Sequence, residues 1–226
     1  MALTWYTFYM DTTNIGYWEQ VLQNPTLAFQ ELFNAEKKYL LEHITNNAKV
    51  LDVGSGSGRN IETVLLKTKD VFGIDNDPKA IKDSLAKFSN TLNVKIIQSD
   101  ATELPFEDNT FDIAILMIVI GSLDNKKIPV LKEIQRVLKQ DGKLILSSYS
   151  EDAFEERMKI YKQVNAPIEK IEGTKVVFNK SLGANVSEQF SKEELEKFGK
   201  EANLKMIDCE KVETIAYICT FNKEGI

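Results

Sequence analysis

The sequence predicts an α/β domain in which a mostly parallel sheet is flanked by helices, and three observations carry that prediction. Five short apolar runs alternate with helix-period segments between Val50 and Ser148, the pattern of parallel strands joined by crossover helices. The first run ends in a glycine-rich turn that opens into a helix near Arg59. The 226 residues, 43% hydrophobic and 27% charged, suit one globular domain with a small addition rather than two domains or a disordered chain.

At the amino end, Trp5, Tyr6, Phe8, Tyr9, Tyr17 and Trp18 crowd into the first eighteen positions. Aromatics at that density favour a lid or docking segment, and Tyr9, Tyr17 and Trp18 are the candidates to close over a bound ligand and shape its pocket. Phe29, Leu32, Phe33, Leu40 and Ile44 then mark an amphipathic helix. Strands are expected at Val50–Val53, Val71–Ile74, Val94–Gln98, Ile113–Met117 and Lys143–Ser148. Between them Ile81, Leu85 and Phe88 form one helical stripe, and Ile128, Leu131, Ile134 and Leu138 another, with Asp141-Gly142 as its stop.

Beyond the fifth strand, Glu151–Val164 reads as a helix, and Lys175–Phe178 pairs with Val186–Phe190 across 179–185 as an inserted hairpin. Ser191-x-x-Glu194 is a capping box for a further helix carrying Leu195, Phe198 and Ala202. Lys205–Cys209 and Thr214–Phe221 complete the strands. The expected organisation is a single domain over 1–226: a lid and helix at 1–45, a core at 46–150, an inserted helix and hairpin at 151–190, and a final helix and strand pair at 191–226.

A formal net charge of −6 and a pI near 5.1 speak against the broad basic surface that nucleic-acid binding needs, so nucleic acid is not the expected partner. Cys209 and Cys219 lack a CxxC partner or a neighbouring His, and are expected as free thiols in a reducing compartment, with no metal site. The start MALTWYTFYMD has no basic residue ahead of an apolar stretch, and the longest apolar run, Ile113 to Gly121, falls far short of the roughly 20 residues of a spanning helix. The expected location is cytoplasmic, without membrane association; oligomeric state is not legible.

The chemistry is concentrated at three strand ends. Val50-Leu51-Asp52-Val53-Gly54-Ser55-Gly56-Ser57-Gly58 couples a buried strand to a turn whose glycines admit a ligand close to the backbone. It is neither a dinucleotide fingerprint, since Arg59 or Ile61 occupies the third glycine position, nor a P-loop. Asp75, at the end of Val71-Phe72-Gly73-Ile74, is placed to accept from ribose hydroxyls. Asp77-Pro78 starts the next helix. Asp100-Ala101 follows the third strand.

Taken together, these stretches resemble the class I S-adenosylmethionine-dependent methyltransferases over roughly Lys49 to Ser148. The resemblance implies a Rossmann-like three-layer sandwich with a seven-stranded sheet in the order 3-2-1-4-5-7-6, the last strand antiparallel, to which the N-terminal helical lid and inserted β-hairpin read from the residues are additions. It implies S-adenosyl-L-methionine as cofactor, with S-adenosyl-L-homocysteine as product. Asp52, Gly54, Ser55, Gly56 and Gly58 would surround its methionine end, Asp75 and Asn76 its ribose, Asp100 and Ala101 its adenine, and Met117 the end of the fourth strand that faces the methyl.

Gly121-Ser122 stands where many small-molecule members carry Glu-His or His-His, and no N/D-P-P-Y type motif follows the fourth strand. His43, the one histidine, reads as a helix-surface residue. The catalytic residues are therefore unassigned. A small-molecule acceptor is the first expectation and RNA or protein the alternative. An aminopropyl transferase, a non-catalytic S-adenosylmethionine-binding module and a nicotinamide oxidoreductase are the competing classes.

Overall fold

A computed structural model describes residues 17–179 and 186–224. Tyr9 lies outside the described residues, as does the expected turn of the inserted hairpin.

Two helices, α1 (Tyr17–Gln23) and α2 (Leu27–His43), precede the first strand. The core then runs β1 (Lys49–Val53), α3 (Arg59–Val64), β2 (Asp70–Asp75), α4 (Pro78–Lys87), β3 (Val94–Gln98), β4 (Phe111–Met117), α5 (Lys127–Val137) and β5 (Leu138–Tyr149). It continues through α6 (Phe154–Gln163), β6 (Ile168–Glu172), β7 (Lys175–Phe178), β8 (Val186–Ser187), α7 (Lys192–Glu201), β9 (Leu204–Val212) and β10 (Ala216–Lys223). The main sheet has seven strands in the order β3-β2-β1-β4-β5-β10-β9. β10 is antiparallel to both neighbours, whereas the first five strands pair in parallel. With the three short strands set aside, this is the expected 3-2-1-4-5-7-6 order.

Alternation along β1 assigns the two faces. Leu51 and Val53 join Phe111, Leu131, Ile134, Leu195 and Phe221 beneath α5 and α7, while Val50 joins Leu40, Ile44, Ile61 and Val64 beneath α2 and α3. A period of two places Asp52 on the second face, with Val50. The capping box at Ser191 and Glu194 is formed in both directions, and Asp77 accepts from the Lys79 backbone N–H with Pro78 in the first turn.

Three expectations are corrected. Leu138, assigned by spacing to the helical stripe, is instead the first residue of β5 and pairs with Phe111; α5 ends at Val137 because Leu138 turns extended there. The inserted hairpin is shorter and has a third strand: Val176 pairs with Ser187 and Val177 with Val186, while β6 covers the other edge of β7. β6 was missed because its alternation of Ile and charged residues is mostly exposed. Cys209 and Cys219 are not free thiols but form a disulfide, since the β9–β10 register sets them opposite each other. Ten residues of separation reveal this only once the turn that fixes the register is known.

A third cluster forms a cap over the carboxyl end of β5. Val21 of α1, Phe29 and Leu32 of α2, Ile160 and Tyr161 of α6, and Val176 and Phe178 of β7 pack around Tyr149. Inside it Arg157 is fully buried and donates to Thr174 O, Gln189 Oε1, Ser187 O and Ser187 Oγ. The cap docks on the segment after β4: Glu188 N–H donates to Gly121 O at 3.0 Å, Lys127 pairs with Glu188, and Lys175 pairs with Asp124 at 2.7 Å. A Cβ on Gly121 would lie 2.5 Å from the Glu188 carbonyl oxygen, a backbone atom with little room to yield. Gly121→Ala is therefore expected to lower stability by about 2 kcal/mol, the usual scale of overpacking, with β6–β8 losing hydrogen-exchange protection first.

Candidate functional site

In the order β3-β2-β1-β4-β5 the chain winds outward to β3 and returns to β4 beside β1, so the loops after β1 and β4 diverge there. Ligands of open α/β sheets bind in the crevice at such a point, beyond the strand carboxyl ends. The two loops meet closely: a Cβ on Gly54 would stand 2.6 Å from Val119 Cγ2. Gly54, Gly56 and Gly58 all have positive φ, at 75°, 54° and 89°, which explains three glycines in five positions.

Their surroundings differ. Gly54 and Ser55 donate their N–H groups to Ile74 O, each at 2.9 Å, which fastens the turn to the end of β2. Gly58 packs on the Phe88 ring, where a Cβ would clash. Around Gly56 a Cβ would meet nothing within 4 Å. The open space of the turn is thus above Gly56, while Gly58 serves packing.

Asp75 closes the arrangement. Its Oδ2 accepts from Gly56 N–H and its Oδ1 from Asp77 N–H, both at 2.9 Å. A carboxylate offers about four acceptor positions, so each oxygen retains one for a ligand hydroxyl. Asn76 is exposed beside it. Asp100 follows β3, and Ser99 N–H donates to Asp75 O at 3.0 Å, which brings the two acids to neighbouring strand ends. Lys126 and Thr102 donate to the Asp100 carboxylate at 2.8–2.9 Å and hold it below the usual range, at about 2, Lys126 being the larger cause. Ala101 is half-buried against the core.

Asp52 is fully buried, and among the described residues neither carboxylate oxygen has a hydrogen-bond partner. Burial pushes its carboxyl up to about 7; Arg59 counters this, while Asp75 and Glu36 add to it. A buried charged group without a partner is costly and calls for an explanation; a cationic ligand group supplies one. Met117, by contrast, sends its side chain into the core beneath α2 and α3, so only its backbone is available at the strand end. Trp18 is 41% exposed on α1. The side chain of Tyr17 is outside the described residues. Ser57 Oγ donates to Glu19 Oε2 at 3.1 Å, which sets α1 beside the glycine turn. His43 places Nδ1 2.9 Å from Tyr39 O and stacks on the Tyr39 ring at 3.8 Å, a structural position away from the crevice.

Sequence reasoning missed Glu36, Arg59 and Ser147. Arg59 Nη2 lies 2.6 Å from Glu36 Oε2, Ser147 Oγ donates to Glu36 Oε1 at 2.5 Å, and Ile118 N–H donates to Ser147 Oγ at 2.9 Å. The signal was present: position 36 continues the buried stripe 29, 32, 36, 40 of α2, and a carboxylate on an apolar stripe needs a partner. Among the described residues no group of three or more His, Cys, Asp or Glu could hold a metal, and no helix is long and apolar enough to cross a membrane.

Comparison with known proteins matches residues 51–146 to a methyltransferase domain family. A demethylmenaquinone methyltransferase of Staphylococcus aureus is 30% identical over 126 residues, covering 54% of this chain and 50% of that protein. The matched part spans between 50% and 64% of the length of the first curated relatives. Among solved structures, a methyltransferase from Methanosarcina mazei described as S-adenosylmethionine-dependent superposes with a TM-score of 0.64 at 20% identity, over 82% of this chain and 97% of its own. A 1,6-didemethyltoxoflavin N1-methyltransferase from Burkholderia thailandensis, solved with that acceptor and S-adenosylhomocysteine, gives 0.66 at 17% identity, over 86% of this chain and 79% of its own.

Proposed function

We propose, from the premise that residues 51–146 are a methyltransferase domain on the class I S-adenosylmethionine-dependent fold, that the chain binds S-adenosylmethionine and transfers its methyl group to a small-molecule acceptor. The observation that carries this reading is the pairing of an orphaned, buried Asp52 carboxylate with open space above Gly56 and an Asp75 carboxylate that keeps acceptor positions in reserve. Those three features suit the ammonium, backbone and ribose of one ligand. Asp100 and Ala101 at the next strand end suit its adenine.

When bound, the sulfonium supplies an already activated methyl, so its transfer is an in-line displacement that needs no covalent enzyme intermediate. The chain's part is positional. Asp75 fixes the glycine turn through Gly56 N–H, the short Ile118–Val119 stretch after β4 borders the crevice, and the cap of α1, α2, α6 and β6–β8 shuts water out of the acceptor side. Holding two reactants at attack distance is worth a large part of such a barrier. Trp18, with Tyr9 and Tyr17, is proposed to shape the acceptor pocket. The acidic net charge of −6 favours a small metabolite over RNA.

The test is turnover with methyl-labelled S-adenosylmethionine against separated cell fractions. Label passing to low-molecular-weight material supports the small-molecule reading. Label passing only to RNA or protein replaces it, and cofactor binding without transfer to any fraction favours the non-catalytic module.

A further inference from the structure

Two buried carboxylates share one guanidinium on the α2–α3 side of the sheet, and geometry gives it to one of them. Glu36 is fully buried and has both oxygens engaged, Oε2 by Arg59 Nη2 at 2.6 Å and Oε1 by Ser147 Oγ at 2.5 Å. Asp52 is equally buried and has neither oxygen engaged. The Arg59 guanidinium also rests on the Phe33 ring of α2, 4.5 Å from its centroid, so α2 holds it from two sides.

We propose that Glu36, which lies outside the matched methyltransferase domain, is a positioning residue of the cofactor site: by drawing Arg59 to α2 it leaves the Asp52 carboxylate vacant for the cofactor's ammonium group. The inference rests on the reading that the chain binds S-adenosylmethionine. Among the described residues, the charged groups that face Asp52 are Arg59 from α3, Asp75 from β2 and Glu36 from α2. Opposite them, β4 and β5 bring Ile115, Met117, Ile145 and Ser147, none of them charged.

Within this set Arg59 is the one cation, and carboxylates outnumber it by three to one. With Glu36 bonded to Arg59, Asp52 keeps an unfavourable solitary charge that a cationic ligand relieves. With Glu36 replaced by a neutral side chain, the guanidinium turns to Asp52, where an opposite charge favours the ionised acid. Asp52 is then content without ligand, and the incoming ammonium must displace Arg59. The Glu36–Ser147–Ile118 chain additionally ties this charge arrangement to the end of β4, where the methyl group would be delivered.

The experiment is a carboxyl-carbon NMR titration of Asp52 in the free, full-length protein, with the resonance assigned from Asp52→Asn, in wild type, Glu36→Gln and Glu36→Asp. The expected wild-type midpoint is near 7; Glu36→Gln should lower it by at least one pH unit and Glu36→Asp by less. Glu36→Gln should also weaken S-adenosylhomocysteine binding at pH 8 by about tenfold. A merely structural Glu36 acts on Asp52 only through its like charge, so Glu36→Asp, which keeps that charge, would lower the melting temperature and leave the Asp52 midpoint in place, which overturns the proposal. Should Glu36→Gln not fold, Glu36→Asp alone decides by the same criterion. Wild type that titrates as expected but binds no S-adenosylhomocysteine would refute the cofactor reading and, with it, the ligand role given to Asp52.

Discussion

Asp52→Asn is expected to make the free protein more stable at pH 8, by about 2 kcal/mol, and to weaken S-adenosylhomocysteine binding by roughly a hundredfold. The stability gain follows from linkage. A carboxyl raised to about 7 in the folded chain holds its proton between pH ~4 and ~7, where the unfolded chain has lost it. Stability therefore falls as pH rises through that window and is flat above it. About three pKa units correspond to roughly 4 kcal/mol, and the unpaired asparagine amide offsets part of it with its own desolvation cost of about 2 kcal/mol. The binding loss follows from replacing a charge-assisted contact by a neutral one, on the order of 1.5–3 kcal/mol. Urea melts at pH 4.5 and pH 8 check the first part: the variant should gain over wild type at the higher pH only. Calorimetry checks the second. A variant less stable than wild type at pH 8 would mean that Asp52 has a partner in the free protein.

Gly56→Ala and Gly58→Ala should separate binding from folding. Both positions have positive φ, which costs an alanine about 1–2 kcal/mol. At Gly58 the methyl also strikes the Phe88 ring, which stands in the α2–α3 core, so a total loss of about 3 kcal/mol is expected by adding an overpacking penalty of about 1–3 kcal/mol. At Gly56 the methyl meets no atom of the described residues within 4 Å, so the fold stands, but the methyl enters the space assigned to the cofactor. Thermal unfolding should rank Gly58→Ala far below Gly56→Ala, whereas S-adenosylhomocysteine binding should be lost in Gly56→Ala. Normal binding by Gly56→Ala would place the ligand elsewhere.

The proposed cofactor half of the site was legible because its residues are constrained by local backbone geometry. Glycines with positive φ and acids at strand ends leave their mark within a few consecutive positions, and so does the Asp77-Pro78 helix start. Glu36, Arg59 and Ser147 come from α2, α3 and β5 and meet only in the folded chain, so no spacing announces them. Gly121 looked like the loss of a catalytic pair. The structure gives it another reason, since the Glu188 backbone of the cap lies against it. The expectation of free thiols at Cys209 and Cys219 failed for a similar cause: strand register, which the hairpin turn sets, decides which side chains oppose each other. Leu138 shows the converse limit, since a residue on a helical period can begin a strand when its pairing partner, Phe111, is supplied from elsewhere.

The most direct measurement of the central claim is calorimetric titration of the full chain with S-adenosylhomocysteine, in wild type and in Asp75→Ala. Asp75 both holds Gly56 N–H and keeps acceptor positions for ribose, so its loss removes two supports of the same ligand. The account predicts micromolar binding by wild type and a loss of at least tenfold, about 1.4 kcal/mol, in the variant. Absence of binding by wild type, or equal binding by both proteins, would contradict it.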